Sequence, residues 1–167
     1  EFGKSFSMEF AYISYGVSEK LREVNSELYQ RELDKTKAKF ADAEQEAKRL
    51  LREQLRDLVA GMVDKLTGVK EDGKRKTFKP SSVGKLNEFF ESFKSWNLAA
   101  DDSELDSIVS QAKELLSGVD PESMKGESAL RDSVGNGFAQ ILPMLDTMIE
   151  TMPDRVFRGD ASDEDEE

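Results

Sequence analysis

Residues 18–66 decide the fold of this chain, and they read SEKLREVNSELYQRELDKTKAKFADAEQEAKRLLREQLRDLVAGMVDKL. The stretch contains no proline, and its one glycine is Gly61. Within it, apolar or small residues follow one another at steps of three or four, close to the helical period of about 3.6. These residues are Tyr29, Leu33, Thr36, Phe40, Ala43, Ala47, Leu51, Leu55, Leu58, Met62 and Leu66. The pattern predicts one very long amphipathic helix over residues 18–66.

The two ends of this helix carry suitable capping residues. Ser18 is of a type favoured at the N-cap, and Gly68 suits a C-terminal cap. Charges of alternating sign lie between them, and Glu44 stands four residues before Lys48, in the favourable orientation for an ion pair on a helix surface. The stretch is therefore predicted to keep one exposed, charged face.

The length of the helix restricts how it can be used. At 1.5 Å per residue it would reach roughly 70 Å, whereas a compact globule of this size is only about 40 Å across. We expect an elongated helical bundle built along the helix, a projecting end, or a break. Residues 30–39 have the thinnest apolar stripe, so a projection, a break or a partner contact is expected there.

Composition restricts the chemistry of the chain. It has 167 residues, of which 37% are hydrophobic and 35% charged, which suits one all-α domain. It has no cysteine and no histidine. Disulfides, thiol nucleophiles, Ser-His-Asp triads and most transition-metal sites are thereby excluded. We predict a non-enzymatic protein without a cofactor or a metal.

The charge is strongly acidic and unevenly distributed. The formal net charge is −11, and six of the last eight residues are Asp or Glu. Residues 159–167 are therefore predicted to be a disordered acidic tail, after a main domain over residues 18–158. Net acidity disfavours non-specific binding to nucleic acid or to an anionic membrane.

The start of the chain bears on its cellular context. Neither a run of eighteen apolar residues nor a signal-peptide pattern is present, which predicts a cytoplasmic protein. The first residue is Glu1 rather than Met, so we expect a fragment of a longer protein. Residues 1–17 alternate aromatic and polar side chains around Phe6, Phe10 and Tyr12, which predicts an irregular or short β-like N-terminal segment.

A basic loop is predicted over residues 67–80, because this stretch has two glycines and ends at Pro80. It holds five basic and two acidic residues in an otherwise acidic chain. One interpretation is a contact for phosphate or for an acidic partner surface, and the other is a solvated turn. The candidate contact residues are Lys74, Arg75, Lys76 and Lys79.

Three further helices are predicted at about residues 82–95, 103–117 and 128–151. The first should begin at a Ser81 or Ser82 cap and end in a core cluster of Phe89, Phe93 and Trp96. In the last, Pro143 removes a backbone hydrogen bond and should kink the helix. Gly135 and Gly137 in the same helix would allow another helix to approach closely, or would mark a flexible point.

Four acidic residues surround the start of the second of these helices. Asp101 should be its N-cap, with Glu104 completing a capping box. Together with Asp102 and Asp106 they could form a hydrolase pair or a site for a hard cation. Capping and the helix dipole explain the same residues more simply, so a structural role is favoured.

Several segments resemble a known family. They are FAYISYGV at 10–17, KLREVN at 20–25, LVAGMVDKL at 58–66, DGK at 72–74, KTF at 76–78, DDSEL at 101–105 and LLSGVD at 115–120. In these the chain is similar to the C-terminal half of the bacterial and phage family known as domain of unknown function 3150. The resemblance implies a protein of a phage or a bacterial mobile element, with an AAA+ ATPase as a partner, and it implies no catalytic residues.

The sequence thus predicts a helical adaptor, scaffold or assembly protein that acts through protein–protein contacts. The outer face of the long helix, its distal end or the basic loop would bind the partner. Three alternatives stay open: a nucleic-acid-associated protein that uses residues 70–79, an acidic mimic of DNA, and a carboxylate-based enzyme.

Overall fold

A computed structural model describes residues 16–153. The expectations for residues 1–15 and 154–167, including the N-terminal aromatic alternation and the acidic tail, lie outside the described residues. The described part forms six α-helices and no strand, which confirms the all-α prediction with one very long helix. They are α1 (Glu19–Val24), α2 (Ser26–Thr67), α3 (Gly84–Ala100), α4 (Ser103–Leu116), α5 (Ser123–Gly126) and α6 (Ser128–Glu150), with a 3-10 turn at Pro80–Ser82 before α3.

The predicted single helix over residues 18–66 is wrong at its beginning, where the chain breaks at Asn25. This residue is extended, with φ −153° and ψ 100°. Its Oδ1 accepts hydrogen bonds from the backbone N–H groups of Glu27 and Leu28, at 3.1 and 3.0 Å. Asparagine is among the strongest N-cap residues, so it starts a new helix instead of continuing α1. Ser18 makes no side-chain cap hydrogen bond.

The chain divides into two compact units, Glu1–Asp42 and Ala43–Glu167. In the first unit, the described residues 16–42 include no buried side chain. Val24 is 85% exposed, and Leu28 is 42% exposed. Residues 30–39, where a break was one of the expectations, are helical throughout.

The second unit has a contiguous hydrophobic core. The last four turns of α2 enter it, and every later helix of the described part contributes, as does the loop residue Phe78. Its largest fully buried side chains are Phe89, Phe93, Phe138, Leu55, Leu66, Leu86, Leu105, Met124 and Leu145. Burial of one such side chain stabilises the fold by about 1.5 to 3 kcal/mol.

Two glycines of α6 allow close packing inside this unit, as one of the two predictions for them stated. A Cβ atom on Gly135 would lie 2.7 Å from Cγ2 of Thr67 and 3.1 Å from Cβ of Leu66. A Cβ atom on Gly137 would lie 2.5 Å from Cδ2 of Leu115. The missing side chain at Gly135 therefore lets the C-terminal end of α2 pack closely against α6, and the missing side chain at Gly137 does the same for α4. Pro143 lies inside α6, which continues past it to Glu150.

The helix α3 begins and ends later than predicted. The serines at 81 and 82 belong to the 3-10 turn rather than to an N-cap, and α3 runs from Gly84 to Ala100 because no helix-breaking residue follows Ser95. Trp96 therefore lies within the helix, 44% exposed, with its ring edge-on to Phe89 at 5.8 Å. It covers the edge of the core rather than anchoring its interior.

The N-cap of α4 is Asp102 and not Asp101. Asp101 ends α3 in the left-handed conformation, with φ 48°. Asp102 Oδ1 accepts a hydrogen bond from the backbone N–H of Leu105 at 3.1 Å, as an N-cap does. The acidic residues at this helix start thus include a true cap, displaced by one residue from the predicted position.

Among the described residues, none of the helices combines the length and the apolar character needed to cross a bilayer.

Candidate functional site

The predicted basic loop is a tight hairpin that follows α2. Val69 and Arg75 form an antiparallel bridge, and the backbone N–H of Lys70 donates to the carbonyl of Lys74 at 2.7 Å. Gly73 has φ 75° at the turn, a conformation that glycine adopts without strain. The backbone N–H of Lys76 then donates to the carbonyl of Gly68 at 2.9 Å, which closes the hairpin at its base.

Three of the four predicted contact residues are paired with carboxylates of the protein itself. Lys76 Nζ lies 2.6 and 2.8 Å from the two carboxylate oxygens of Asp64, at the end of α2. Arg75 forms an ion pair with Asp132 of α6. Lys74 Nζ lies 3.5 Å from the carboxylate of Asp72. Three of the five positive charges that singled out this loop in the sequence are therefore matched locally.

Lys79 differs from the other three. It is exposed, and it forms no ion pair with any described residue. The structure thus brings Arg75 and Lys76 against the body of the unit through Asp132 and Asp64, and it leaves Lys74 and Lys79 toward solvent. These four side chains do not converge on one point as a phosphate site requires.

A buried arginine holds the base of the hairpin. Arg131 of α6 is 8% exposed, and its Nε donates to the carbonyl of Leu66 at 2.9 Å. Its Nη2 donates to the carbonyls of Lys65 and Lys76, at 2.5 and 2.6 Å. Two of these carbonyls belong to the last turn of α2, where backbone acceptors lack partners within the helix. Arg131 is therefore a C-terminal cap supplied by another helix.

The environment of Arg131 is unusual for a guanidinium. The aromatic ring of Phe78 lies beside it, with the ring centroid 6.0 Å from the guanidinium carbon. Burial lowers the pKa of Arg131, and the positive charge of Arg75 lowers it further. The negative end of the α2 dipole, which Arg131 faces, favours a cation at this place. Carbonyl oxygens, the dipole and an aromatic face together stabilise the buried charge.

A second buried arginine, Arg52, joins three helices. Its Nε and Nη2 donate to the two carboxylate oxygens of Asp102, at 2.7 and 3.0 Å, in a bidentate ion pair. Its Nη1 donates to the carbonyl of Met148 at 2.8 Å, and its Nη2 also reaches Glu104 at 3.2 Å. The side chain therefore connects α2 to the start of α4 and to the C-terminal part of α6.

The carboxylate of Asp102 is fully occupied in this network. Besides its bonds with Arg52, the carboxylate accepts the capping hydrogen bond from the backbone N–H of Leu105. The backbone N–H of Asp102 donates to the side-chain oxygen of Asn97 at 2.9 Å, and the Asp102 carbonyl accepts from the side-chain nitrogen of Asn97 at 3.2 Å. Burial alone would raise the pKa of Asp102. The hydrogen bonds from Arg52 and Leu105 and the charge of Arg52 outweigh burial and leave the pKa below its ordinary value. Asp102 therefore stays ionised at neutral pH.

Sequence reasoning did not find the roles of Arg52 and Arg131, although both leave a signal. Arg52 lies three residues before Leu55 and seven before Val59, in phase with the buried stripe of α2. Arg131 lies seven residues before Phe138, in phase with the buried stripe of α6. A charged residue in phase with a buried stripe must find partners inside, because an unpaired buried charge is very costly.

The acidic start of α4 does not have the arrangement of a metal site. Among the described residues, no group of three Asp or Glu side chains is placed to hold a metal ion. Every buried side-chain nitrogen or oxygen in the described part has a hydrogen-bond partner. The buried polar side chains of the described residues therefore all take part in hydrogen bonds within the fold.

Large apolar side chains remain exposed on both units. In the first unit these include Val24 and Leu28, and in the second Leu98 is 87% exposed and Leu50 is 53% exposed. Met144, on α6, is 42% exposed at an open cleft beside α4. These residues are candidates for contact with another molecule.

Comparisons of the chain with protein-family models, with curated proteins and with solved structures found no match. The resemblance to domain of unknown function 3150 stays a prediction.

Proposed function

We propose that this protein is a non-enzymatic adaptor or scaffold that acts through protein–protein contacts, in a phage or mobile-element process as the resemblance implies. The observation that carries the proposal is the first part of α2. Residues 26–39 are helical, and the structure describes no buried side chain among them. In most proteins a helix derives its stability from packing an apolar face, so a partner would supply what this segment lacks.

The charged groups of the second unit support the same proposal. Arg52 and Asp102 bond each other, and Arg131 bonds three backbone carbonyls. Each of these side chains joins elements of the fold. They hold the helices of the second unit together, which supports a role for this unit in presenting surfaces to a partner.

Apolar side chains in the first unit supply the contact chemistry. Val24 and Leu28 stand four residues apart, on either side of the Asn25 break, and both are exposed. Covering such a side chain in an interface contributes about 1.5 to 3 kcal/mol before the cost of association. Two or three of them give a modest contact, suited to an assembly that forms and dissociates.

Site-specific photo-cross-linking in the native host tests the proposal. A photoreactive amino acid is placed at Leu28, and at the exposed residue Glu91 of α3 as a matched control. We expect a cross-linked product of discrete mass at Leu28 and background at Glu91. An AAA+ ATPase is the first protein to look for in that product. Background at Leu28 and at Val24, with the protein expressed at the same level, would contradict the proposal.

A further inference from the structure

The first part of α2 carries apolar and small residues in a strict heptad repeat. From Tyr29 to Leu50 the steps between them alternate between four and three residues, with a mean of 3.5. We call these residues the heptad stripe, and they are Tyr29, Leu33, Thr36, Phe40, Ala43, Ala47 and Leu50. A repeat of 3.5 residues is typical of helices that pack side by side in a left-handed coiled coil.

The end of the heptad stripe does not coincide with the core-facing side of α2. Leu50 continues the heptad spacing and is 53% exposed, whereas its neighbour Leu51 is buried in the core. Adjacent residues point about 100° apart around a helix, so the stripe and the core contacts lie on different sides of α2. Ala47 is partly buried against the core, so the accessible stripe lies mainly before it, where Phe40 is 56% exposed.

Charged residues border the heptad stripe in a complementary order. When the stripe occupies positions a and d of the heptad, the flanking positions are e and g. Glu32 and Lys39 are at g. Lys37 and Glu44 are at e. In two parallel helices in register, each g residue faces the e residue five positions later in the other helix. Glu32 therefore faces Lys37 of a second copy. Lys39 faces Glu44 in the same way, and two-fold symmetry repeats both contacts.

The ion pairs within the chain leave these contacts open. Among the described residues, the two lysines at e and g have no ion-pair partner. Glu32 Oε1 lies 3.0 Å from Nζ of Lys35, and its side chain is 40% exposed. Glu44 Oε1 lies 2.7 Å from Nζ of Lys48, and its side chain is 44% exposed. Each carboxylate has a second oxygen that can accept a lysine of another copy, because a carboxylate accepts several hydrogen bonds.

We propose that the heptad stripe is the interface of a homodimer, in which residues 29–44 of two copies form a short parallel coiled coil in register. The inference rests on the proposed function, since both start from the unpacked first part of α2, and it identifies what covers the stripe. Leu28 lies at position c of the heptad, outside the stripe, and stays accessible in the dimer. A dimeric adaptor of this kind presents the surface at Leu28 twice.

The composition of the heptad stripe makes the dimer a weak one. Tyr29, Leu33 and Phe40 supply the large apolar contacts. Thr36 and Ala43 bury little apolar area and let the helices separate easily. The flanking charges determine orientation and register more than affinity. We therefore expect a reversible equilibrium, with monomers near about 1 µM protein and mostly dimers near about 1 mM.

Light scattering of the full chain over this concentration range tests the inference. We expect the mean mass to rise from that of one chain toward that of two. Leu33→Glu places a charge inside the interface and should abolish the rise. Leu28→Glu makes the same change in an exposed leucine outside the stripe and should leave the rise intact. Circular dichroism at low concentration checks that both variants keep the helical content of the parent protein.

Charge reversal at the flanks gives a second test that does not touch the apolar residues. Glu32→Lys sets like charges against each other at Lys37 and should raise the dissociation constant about threefold or more. The double variant Glu32→Lys with Lys37→Glu restores opposite charges and should recover the parent affinity. Lys35→Glu removes the ion pair of Glu32 within the helix, at position c, and is the control.

A single cysteine tests the orientation, because the chain has none of its own. Thr36 is at position d, where the same residue of each copy meets across a parallel dimer in register. Thr36→Cys should therefore form a disulfide-linked dimer on mild oxidation, since the two backbones lie within disulfide reach. Leu28→Cys should form it much more slowly at the same protein concentration.

Three results would overturn the inference. They are the mass of one chain at every concentration, equal effects of Leu33→Glu and Leu28→Glu, and equal rates of disulfide formation at the two cysteine positions. Failure here is distinguishable from failure of the proposed function. A monomeric protein that still gives a cross-linked product at Leu28 in the host refutes only the dimer. A dimer with background cross-linking at Leu28 and Val24 refutes only the adaptor role.

Discussion

The two parts of α2 form one helix by the same backbone hydrogen bonds but differ in burial. Residues 26–42 bury no side chain, whereas residues 51–66 contribute six buried side chains, including Leu55, Val59 and Leu66. The difference follows from the sequence, because residues 30–39 hold one large aliphatic side chain, Leu33, and six charged residues. A helical spacing of apolar residues thus predicts a helix, and the number of large apolar side chains on one face decides whether other helices pack against that face.

Core truncation should show the largest contrast between the parts. Phe138→Ala removes a fully buried ring of α6 and should lower the free energy of unfolding by about 3 to 5 kcal/mol. Leu28→Ala removes an exposed side chain of the first unit and should change it by less than about 0.5 kcal/mol. Urea unfolding followed by circular dichroism measures both. A comparable loss in the two variants would show that residues 16–42 are part of the packed core.

Loss of the buried ion pair should rank close to core truncation. Arg52→Ala leaves the Asp102 carboxylate buried without its bidentate partner, which costs about 3 to 5 kcal/mol when a buried pair is broken. Arg56→Ala removes an ion pair with Asp146 in which both side chains are about 40% exposed, and it should have a much smaller effect. Melting temperatures of the two variants provide the comparison. Equal shifts would mean that the Arg52 network does not join the helices as described.

The close helix approach at Gly135 should give an intermediate effect. Gly135→Ala places a methyl group 2.7 Å from Cγ2 of Thr67 and should destabilise the protein by about 1 to 3 kcal/mol through overpacking. Gly61→Ala has no heavy atom within 4 Å of the new methyl group and should stabilise α2 by up to about 1 kcal/mol. Opposite signs in thermal unfolding are expected, and a stabilised Gly135→Ala variant would refute the close contact.

The pH dependence of stability should show the smallest effect. The pKa of Asp102 is lower in the folded protein than in the unfolded chain, so protonation favours unfolding. Its contribution is complete above the unfolded pKa of about 3.9 and is lost as the pH falls through the folded value. Unfolding free energies measured at falling pH should decrease less steeply in Asp102→Asn than in the parent protein. Identical slopes would exclude a depressed pKa for this group.

Much of the fold was predictable because long apolar patterns dominate it. The all-α class and most of the long helix followed from spacing alone, and close packing at Gly135 and Gly137 was one of the two roles predicted for these residues. The break at Asn25 did not, because the residues on both sides of it keep the helical period. Only the hydrogen bonds from the backbone N–H groups of Glu27 and Leu28 to the Asn25 side chain separate α2 from α1. The displacement of the α4 cap from Asp101 to Asp102 is similar, since two adjacent aspartates are equivalent in sequence and tertiary bonding to Arg52 selects one.

The candidate surfaces were less predictable. The composition of residues 67–80 indicated free positive charge, but Asp64 and Asp132, which neutralise Lys76 and Arg75, come from other parts of the sequence. The open cleft beside α4 requires knowing which helices are neighbours, and a single sequence does not contain this information.

Amide hydrogen exchange along α2 tests the central claim most directly. If packing holds residues 51–66 and not residues 26–42, the amides of the second part should exchange only through global unfolding. Those of residues 30–40 should exchange through local opening, at least about a hundredfold faster. Equal protection along the whole helix in the isolated protein would contradict the account, because it would mean that residues 26–39 are already held by packing and do not await a partner.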